Sequence, residues 1–221
     1  ISLIQSNYMG FGSGIVVRGH SGTTGQQINI GGTQTLVNNG LISADTAGGT
    51  ITLTDSAVVN NNRLEARNGG TLVLDSNVAN GAGGMILADN GTVRQSGVRI
   101  AGGTISGANG GTLQVTSSSA NFVQNTTISG VMDMASIANS RQRVTGGLTL
   151  NGRIDINGNG ILSFDDTNTL GGTGSIVFGS TGAGNRIDLS GDGTTTFGAG
   201  ITVRGQNGTI GDQINIAGTQ T

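Results

Sequence analysis

The chain has 221 residues, of which 43 are glycine, 10% are charged and 3% are aromatic, and its formal net charge is −2. It contains no cysteine, which excludes a disulfide framework, and its ten basic residues are arginines scattered among twelve acids, which gives no basic surface for nucleic acid. No apolar run approaches the length of roughly 18 residues that a membrane-spanning helix needs, so we expect no membrane span.

The beginning of the chain recurs at its end. Residues 14–35 read GIVVRGHSGTTGQQINIGGTQT and residues 200–221 read GITVRGQNGTIGDQINIAGTQT, which match at 16 of 22 positions with a constant offset of 186 in residue number. Self-similarity at a fixed offset is typical of repeat architectures. We therefore expect residues 1–221 to form a single continuous segment, one 186-residue unit plus an overlap, excerpted from a longer tandem array.

A shorter period lies inside the long one. Between residues 41 and 115, four successive segments each combine a strand-like stretch, a turn of small residues, and a threonine followed by alternating apolar residues. The threonines are Thr50, Thr71, Thr92 and Thr112, at successive spacings of 21, 21 and 20. Apolar residues two apart are typical of strands with one buried face. We predict one aliphatic core that includes Ile51, Leu53, Leu72, Leu74, Leu113 and Val115.

Residues 146–200 keep this alternation with looser spacing. The recurrent glycine and the lack of a 3.6-residue apolar period argue against helices. A nearly constant spacing favours coils stacked in register over hairpins. The predicted fold is therefore an all-β, right-handed parallel β-helix with coils of about 20–21 residues. About nine such coils per unit give a length of roughly 43 Å. Asparagines at the turns are expected to adopt left-handed backbone geometry and to stack in amide ladders.

Neither end of the sequence resembles a polar cap. Ile1 and Leu3 correspond to Ile187 and Leu189 at the same offset, and the chain ends within the repeated phrase. Unpaired strand edges are templates for further pairing, and solenoids ordinarily cover them with capping repeats. We therefore expect the partners of this segment to be neighbouring repeats, or copies of itself, stacked end to end.

The phrases GITVRGQNGTIGDQINIAGTQT, LVNNGLISADTAGGTITL and NNRLEARNGGTLVLDS resemble the β-strand repeats of bacterial surface proteins. Such proteins include autotransporter passengers, filamentous-haemagglutinin-like exoproteins of two-partner secretion, and giant repeat adhesins. The resemblance extends over nearly the whole chain and consists of the general pattern of residue types and of the repeated phrase. It implies secretion to the cell surface, a β-helical shaft, and adhesive or structural work, with a surface glycan or a neighbouring cell as a further partner.

Few residues suggest chemistry. His20 is the only histidine, but residue 206, its counterpart in the second copy, is glutamine. Asp165 and Asp166 are adjacent, and neighbours in a strand point to opposite faces, so we interpret them as a solvated loop pair.

Further motifs are equally weak. Asp55 and Asp75 recur at a spacing of 20 and suggest an exposed, hydrated corner of stacked carboxylates. The glycine runs GFGSG and GGTGS are followed by no lysine, as a phosphate-binding loop would require. Arg18 and Arg204 recur in the phrase VRG and are interpreted as solvated turn residues. The sequence thus predicts no catalytic, cofactor-binding or metal site.

The sequence favours a structural, non-enzymatic function: the shaft of a secreted bacterial surface filament or adhesin stalk. The alternative is a polysaccharide-binding or polysaccharide-cleaving β-helix, a lyase or hydrolase whose groove would be lined with carboxylates and basic residues. Sparse acids, the absence of lysine and the tandem repeat argue against this alternative, although a fold alone does not decide function.

Overall fold

A computed structural model describes residues 7–25, 32–190 and 193–213, and these residues form a parallel β-solenoid. They contain no helix, and therefore no helix long and apolar enough to cross a membrane. The predicted all-β solenoid is confirmed. Residues 1–6, 26–31 and 214–221, which hold parts of both copies of the repeated phrase and the predicted chain ends, lie outside the described residues.

The strands are short, and most have four or five residues. In chain order they are β1 (Asn7–Phe11), β2 (Val16–Gly19), β3 (Ser21–Thr24), β4 (Gln34–Asn38), β5 (Leu41–Ala44), β6 (Thr50–Leu53), β7 (Ala57–Asn60), β8 (Arg63–Arg67), β9 (Thr71–Leu74), β10 (Val78–Asn80), β11 (Met85–Asp89), β12 (Thr92–Gln95), β13 (Arg99–Ala101), β14 (Thr104–Ala108), β15 (Thr112–Val115), β16 (Phe122–Ile128), β17 (Val131–Met134), β18 (Arg141–Leu150), β19 (Arg153–Ile156), β20 (Ile161–Phe164), β21 (Asn168–Gly171), β22 (Ser175–Phe178), β23 (Arg186–Leu189), β24 (Thr195–Phe197), β25 (Thr202–Gly205) and β26 (Thr209–Gln213).

Each turn of the solenoid supplies one strand to each of three faces. The first face stacks β1, β4, β7, β10, β13, β16, β18, β20, β23 and β26. The second face stacks β2, β5, β8, β11, β14, β16, β18, β21 and β24. The third face is a nine-stranded sheet, so it spans eight turns, and it stacks β3, β6, β9, β12, β15, β17, β19, β22 and β25.

Two strands are long enough to occupy two faces. The first half of β16 pairs with β13, and its second half pairs with β14. β18 does the same with β20 and β21. The register between β16 and β18 shifts between Gln124 and Thr126, at the bend from the first face to the second. In these two coils the chain therefore passes from the first face to the second within one continuous strand.

The core is a set of aliphatic columns that run along the solenoid axis. Ile51, Leu72, Val93 and Leu113 stack in register on the third face, and all four are buried. The six predicted core residues are at most 5% exposed, so this part of the sequence prediction is confirmed. Alternation produces the columns, because every second residue of a strand points to the same side.

Coil length varies more than the spacing of the threonines predicts. The threonine register itself is confirmed, since the four threonines pair in succession from β6 to β15. The next step along the third face, from Leu113 to Met132, is shorter than any of these, whereas the step from Ser21 to Thr50 is much longer. Strand positions are fixed by the stack, so the connecting loops absorb these differences.

Glycine and asparagine shape the turn between the second and third faces. Asn68, Asn90 and Asn109 have φ values of 51°, 50° and 49°, the left-handed geometry predicted for the turn asparagines. Gly70 then brings the chain against the preceding coil, where a Cβ would lie 2.3 Å from the carbonyl oxygen of Ala44. The recurrent Asn–Gly–Gly–Thr phrases are therefore turns that only these residues form without strain.

Candidate functional site

Three ion pairs of the described residues share one sequence pattern, an arginine followed two residues later by an acid within one strand. Residues two apart in a strand point to the same side, so the two charges meet. The shortest nitrogen–oxygen distances are 3.1 Å for Arg63–Glu65 in β8, 2.7 Å for Arg153–Asp155 in β19 and 3.4 Å for Arg186–Asp188 in β23.

Glu65 forms the most extensive of these clusters. Glu65 is 2% exposed, and its carboxylate accepts a hydrogen bond of 2.7 Å from the hydroxyl of Ser43 in the preceding coil. Arg63 lies 3.1 Å and Arg67 4.0 Å from it, and Arg67 also pairs with Asp89 in the following coil at 3.0 Å. The cluster thus ties three successive coils together, with the negative charge of Glu65 balanced by two arginines.

Asp188, in β23, has a displaced pKa. Its side chain is fully buried, and this burial raises the pKa above the ordinary value of 3.8. The Ser163 hydroxyl and the charges of Arg186 and Arg141 oppose the rise. The Ser190 hydroxyl lies 3.4 Å from its Oδ1. A carboxyl group with a raised pKa is suited to proton transfer, but structural networks produce such shifts as well.

His20 lies in the turn that leads into β3. Its side chain is exposed, and its Nδ1 lies 2.9 Å from the hydroxyl of Ser21. Its counterpart Gln206 is also exposed. The position therefore tolerates either side chain at the surface, which agrees with the interpretation of His20 as a surface residue.

The sequence predicts that Asp165 and Asp166 are a solvated pair, but only Asp166 is exposed to solvent. The Asp165 side chain is 10% exposed and pairs with Arg143, whose guanidinium also lies 4.4 Å from the ring centroid of Phe122. Asp166 is exposed, accepts a hydrogen bond from the amide of Gly146 at 3.1 Å and also bonds to the Asn168 side chain. The two carboxylates thus have separate partners, as opposite-facing neighbours should.

The expected column of Asp55 and Asp75 is wrong. Asp55 is 6% exposed and accepts a 2.5 Å hydrogen bond from Thr24, whereas Asp75 is exposed. Ser76, rather than Asp75, lies beside Asp55, because its hydroxyl donates to the Asp55 carbonyl at 2.6 Å. The preceding strands are offset by 21 in residue number and the acids by 20, so the acids fall out of register.

The remaining motifs lie apart. Arg18 is in strand β2 rather than a turn, is 70% exposed and lies 3.7 Å from Asp45, while Arg204 is exposed in β25. Within the described residues, no group of three or more histidine, cysteine, aspartate or glutamate side chains is arranged to hold a metal ion.

Sequence reasoning missed the buried acids Glu65 and Asp188. Their signal was present in the strands RLEAR and RIDL, where the arginine and the acid share a face. The exposed pair Arg153–Asp155 has the same spacing, however, so the pattern predicts the ion pair and not its burial.

No protein family, curated protein or solved structure matches this chain. Its function must therefore be argued from the solenoid and its surface.

Proposed function

We propose that this chain is the structural shaft of a filament or adhesin stalk, secreted to a bacterial surface and built from tandem β-solenoid units. The observation that carries the proposal is the continuity of strand pairing. Each strand from β4 to β23 pairs with the coil before it and with the coil after it. Pairing on both sides is what a rod needs in order to transmit tension and resist bending along its axis.

Buried polar contacts between coils support the same role. Several buried polar groups connect one coil to the next, as in the Asn38–Asn60–Asn80 amide ladder and the Glu65 cluster. Such groups strengthen the stack, because a buried polar group that loses its partner costs roughly 1–3 kcal/mol. In this proposal the repeat supplies length and stiffness, and adhesion to a glycan or a neighbouring cell belongs to other parts of the filament.

Electron microscopy of chains with one, two and three 186-residue units tests the proposal. We expect thin, unbranched rods that lengthen by about 40 Å per unit, at roughly 4.8 Å per coil. This value replaces the roughly 43 Å expected from coils of uniform length. The coils near both ends contain more residues, so a unit of 186 residues forms fewer coils. Compact particles whose length does not grow with the number of units would contradict it.

A second assay separates the shaft from a carbohydrate-active enzyme on the same scaffold. The chain is incubated with pectin, alginate and glycosaminoglycans while new reducing ends and unsaturated products are measured. Turnover that is abolished by Asp188→Asn, but not by the surface variant Asp75→Asn, would overturn the structural role and identify Asp188 as the group involved.

A further inference from the structure

The described parts of the repeated phrase share the same backbone geometry at several equivalent positions of the two copies. Gly19 and Gly205, which occupy equivalent positions of the two copies, have φ values of 147° and 145°. Gly25 and Gly211, another equivalent pair, have values of 77° and 85°. Non-glycine residues rarely adopt these angles, so their recurrence marks one backbone conformation formed twice.

The turn and the core contacts around these glycines also recur. Before the strand, an amide donates a 3.0 Å hydrogen bond to the carbonyl three residues earlier in each copy, from Ile15 to Gly12 and from Ile201 to Gly198. The same two positions of each copy also pack against the core, Phe11 and Val17 in the first and Phe197 and Val203 in the second.

The two copies nevertheless lie on different faces of the solenoid. β2, which contains Arg18, pairs with β5 on the second face. β25, which contains the equivalent Arg204, pairs with β22 on the third face. Likewise β1 belongs to the first face and its counterpart β24 to the second. The second copy is therefore rotated by one face relative to the first.

The number of strands explains the rotation. Twenty-three strands precede β24, and β16 and β18 each occupy two faces, so the chain passes twenty-five strand positions between β1 and β24. Three positions make one turn, and twenty-five positions make eight and one third turns. One 186-residue unit therefore advances the solenoid by about 40 Å, at roughly 4.8 Å per turn, and by one third of a turn.

We propose that the coil formed by the repeated phrase is the seam between consecutive units, and that it joins a second copy of the unit with a rotation of one third of a turn. This inference rests on the proposed tandem shaft. One side of the seam is visible in the second copy, where β24, β25 and β26 pair with β21, β22 and β23. The other side is visible in the first copy, where β1, β2 and β3 pair with β4, β5 and β6.

Superposing the two copies gives a seam whose strands are paired on both sides. A unit then follows another with no interruption of the three stacks. The same surface, including the exposed arginine of the VRG phrase, points from the second face in one unit and from the third in the next. Three units, or twenty-five turns, restore the starting orientation after about 120 Å. The shaft thus presents each surface feature on all its sides.

Cysteine cross-linking tests the rotation in the 221-residue chain, which has no cysteine of its own. On the third face, Arg204 lies in register with Val177. If the second copy occupied the same face as the first, Arg204 would instead lie beside Thr169 of β21. We expect a short thiol–thiol reagent to link the Val177→Cys/Arg204→Cys variant as efficiently as the control variant Thr52→Cys/Val73→Cys, whose positions are in register on the same face.

The matched variant Thr169→Cys/Arg204→Cys should remain unlinked. Linkage through Thr169, or failure through Val177 when the control links, would overturn the rotation. This result is independent of the shaft, because a protein that never forms rods still gives the Val177 linkage if the copies are rotated.

A chain of six or more units, which contains the three-unit period at least twice, then tests the seam. Averaged images or diffraction of aligned rods should show a true repeat of about 120 Å with a rise of about 40 Å per unit. Rods whose only repeat is about 40 Å would have unrotated units and would overturn the seam, although they would leave the proposed shaft intact.

Discussion

The side-chain amide of Asn60 donates a hydrogen bond of 2.8 Å to the Oδ1 of Asn80 in the next coil. Asn38, in the preceding coil, donates to the Oδ1 of Asn60 at the same distance. All three side chains are buried at the bend between the first and second faces. Asn60, at the centre of the ladder, both accepts and donates along the axis, which its side-chain carbonyl and NH2 groups allow.

Replacing Asn60 by alanine should destabilise the solenoid by about 1–3 kcal/mol, because it leaves the amide of Asn38 and the Oδ1 of Asn80 buried without their partner. Urea unfolding followed by circular dichroism measures the loss. The control is Asn61→Ala, since Asn61 forms an equivalent 2.8 Å amide bond to Asn39 at the exposed surface. Equal losses in the two variants would show that burial of the ladder does not matter.

Leu72 occupies the centre of an aliphatic column and has no exposed surface. Leu72→Ala should cost about 2–5 kcal/mol. Leu72→Asp should cost more and should also loosen the coils of Ile51 and Val93, its neighbours in the column. Val73→Asp, at the adjacent outward position, should leave the melting temperature near that of the parent. A Leu72→Asp variant that melts like the parent would show that the column is wrongly placed.

Asp188 should make stability depend on pH. Its pKa is raised in the folded state by burial, so the folded chain binds the proton more tightly than the unfolded chain does. Its stabilising contribution is then fully present below the ordinary value of 3.8 and is lost as the pH rises through the raised pKa. The free energy of unfolding of Asp188→Asn, minus that of the parent, should therefore increase with pH over this window. A difference that stays constant across the same pH range would contradict the raised pKa.

Glu65 should be replaceable by leucine. The next coil carries Leu87 at the same position of the second face, where it is 8% exposed. A buried ion pair replaced by a well-packed apolar residue is commonly neutral or stabilising, and Arg63 and Arg67 are exposed enough to reach water. We expect the free energy of unfolding of Glu65→Leu to lie within about 1 kcal/mol of that of the parent, or above it. Glu65→Ala should be the less stable of the two variants. Thermal unfolding at neutral pH compares them, and a leucine variant less stable than the alanine variant would show that the charge itself is required.

Removal of metal ions should leave the solenoid unchanged. The buried or half-buried acids Glu65 and Asp165 are paired with arginines, and Glu65 also accepts a hydrogen bond from a serine hydroxyl. Melting curves recorded with and without a chelator should therefore coincide. A melting temperature that falls with chelator and recovers with calcium would reveal a structural cation.

Much of the fold could be predicted from residue spacing. Thr50, Thr71 and Thr92 mark equivalent positions at constant intervals, and the alternation after each one identifies the inward residues. The asparagine turns were predictable too, because left-handed geometry restricts the choice of residue. These features are local, and each depends only on a strand or a turn.

The sequence by itself determined the parallel stack, its aliphatic columns, its asparagine turns and the 186-residue repeat. Only the tertiary structure decided which residues face each other across coils, because loops of unequal length absorb residues without changing the stack. A difference of one residue in loop length places Asp55 and Asp75 out of register. Larger differences in coil length change the number of turns in a unit. The sequence repeats after a fixed number of residues, but the face on which a strand lies depends on the number of strand positions before it. Twenty-five strand positions do not divide evenly among three faces, so the second copy lies on different faces from the first.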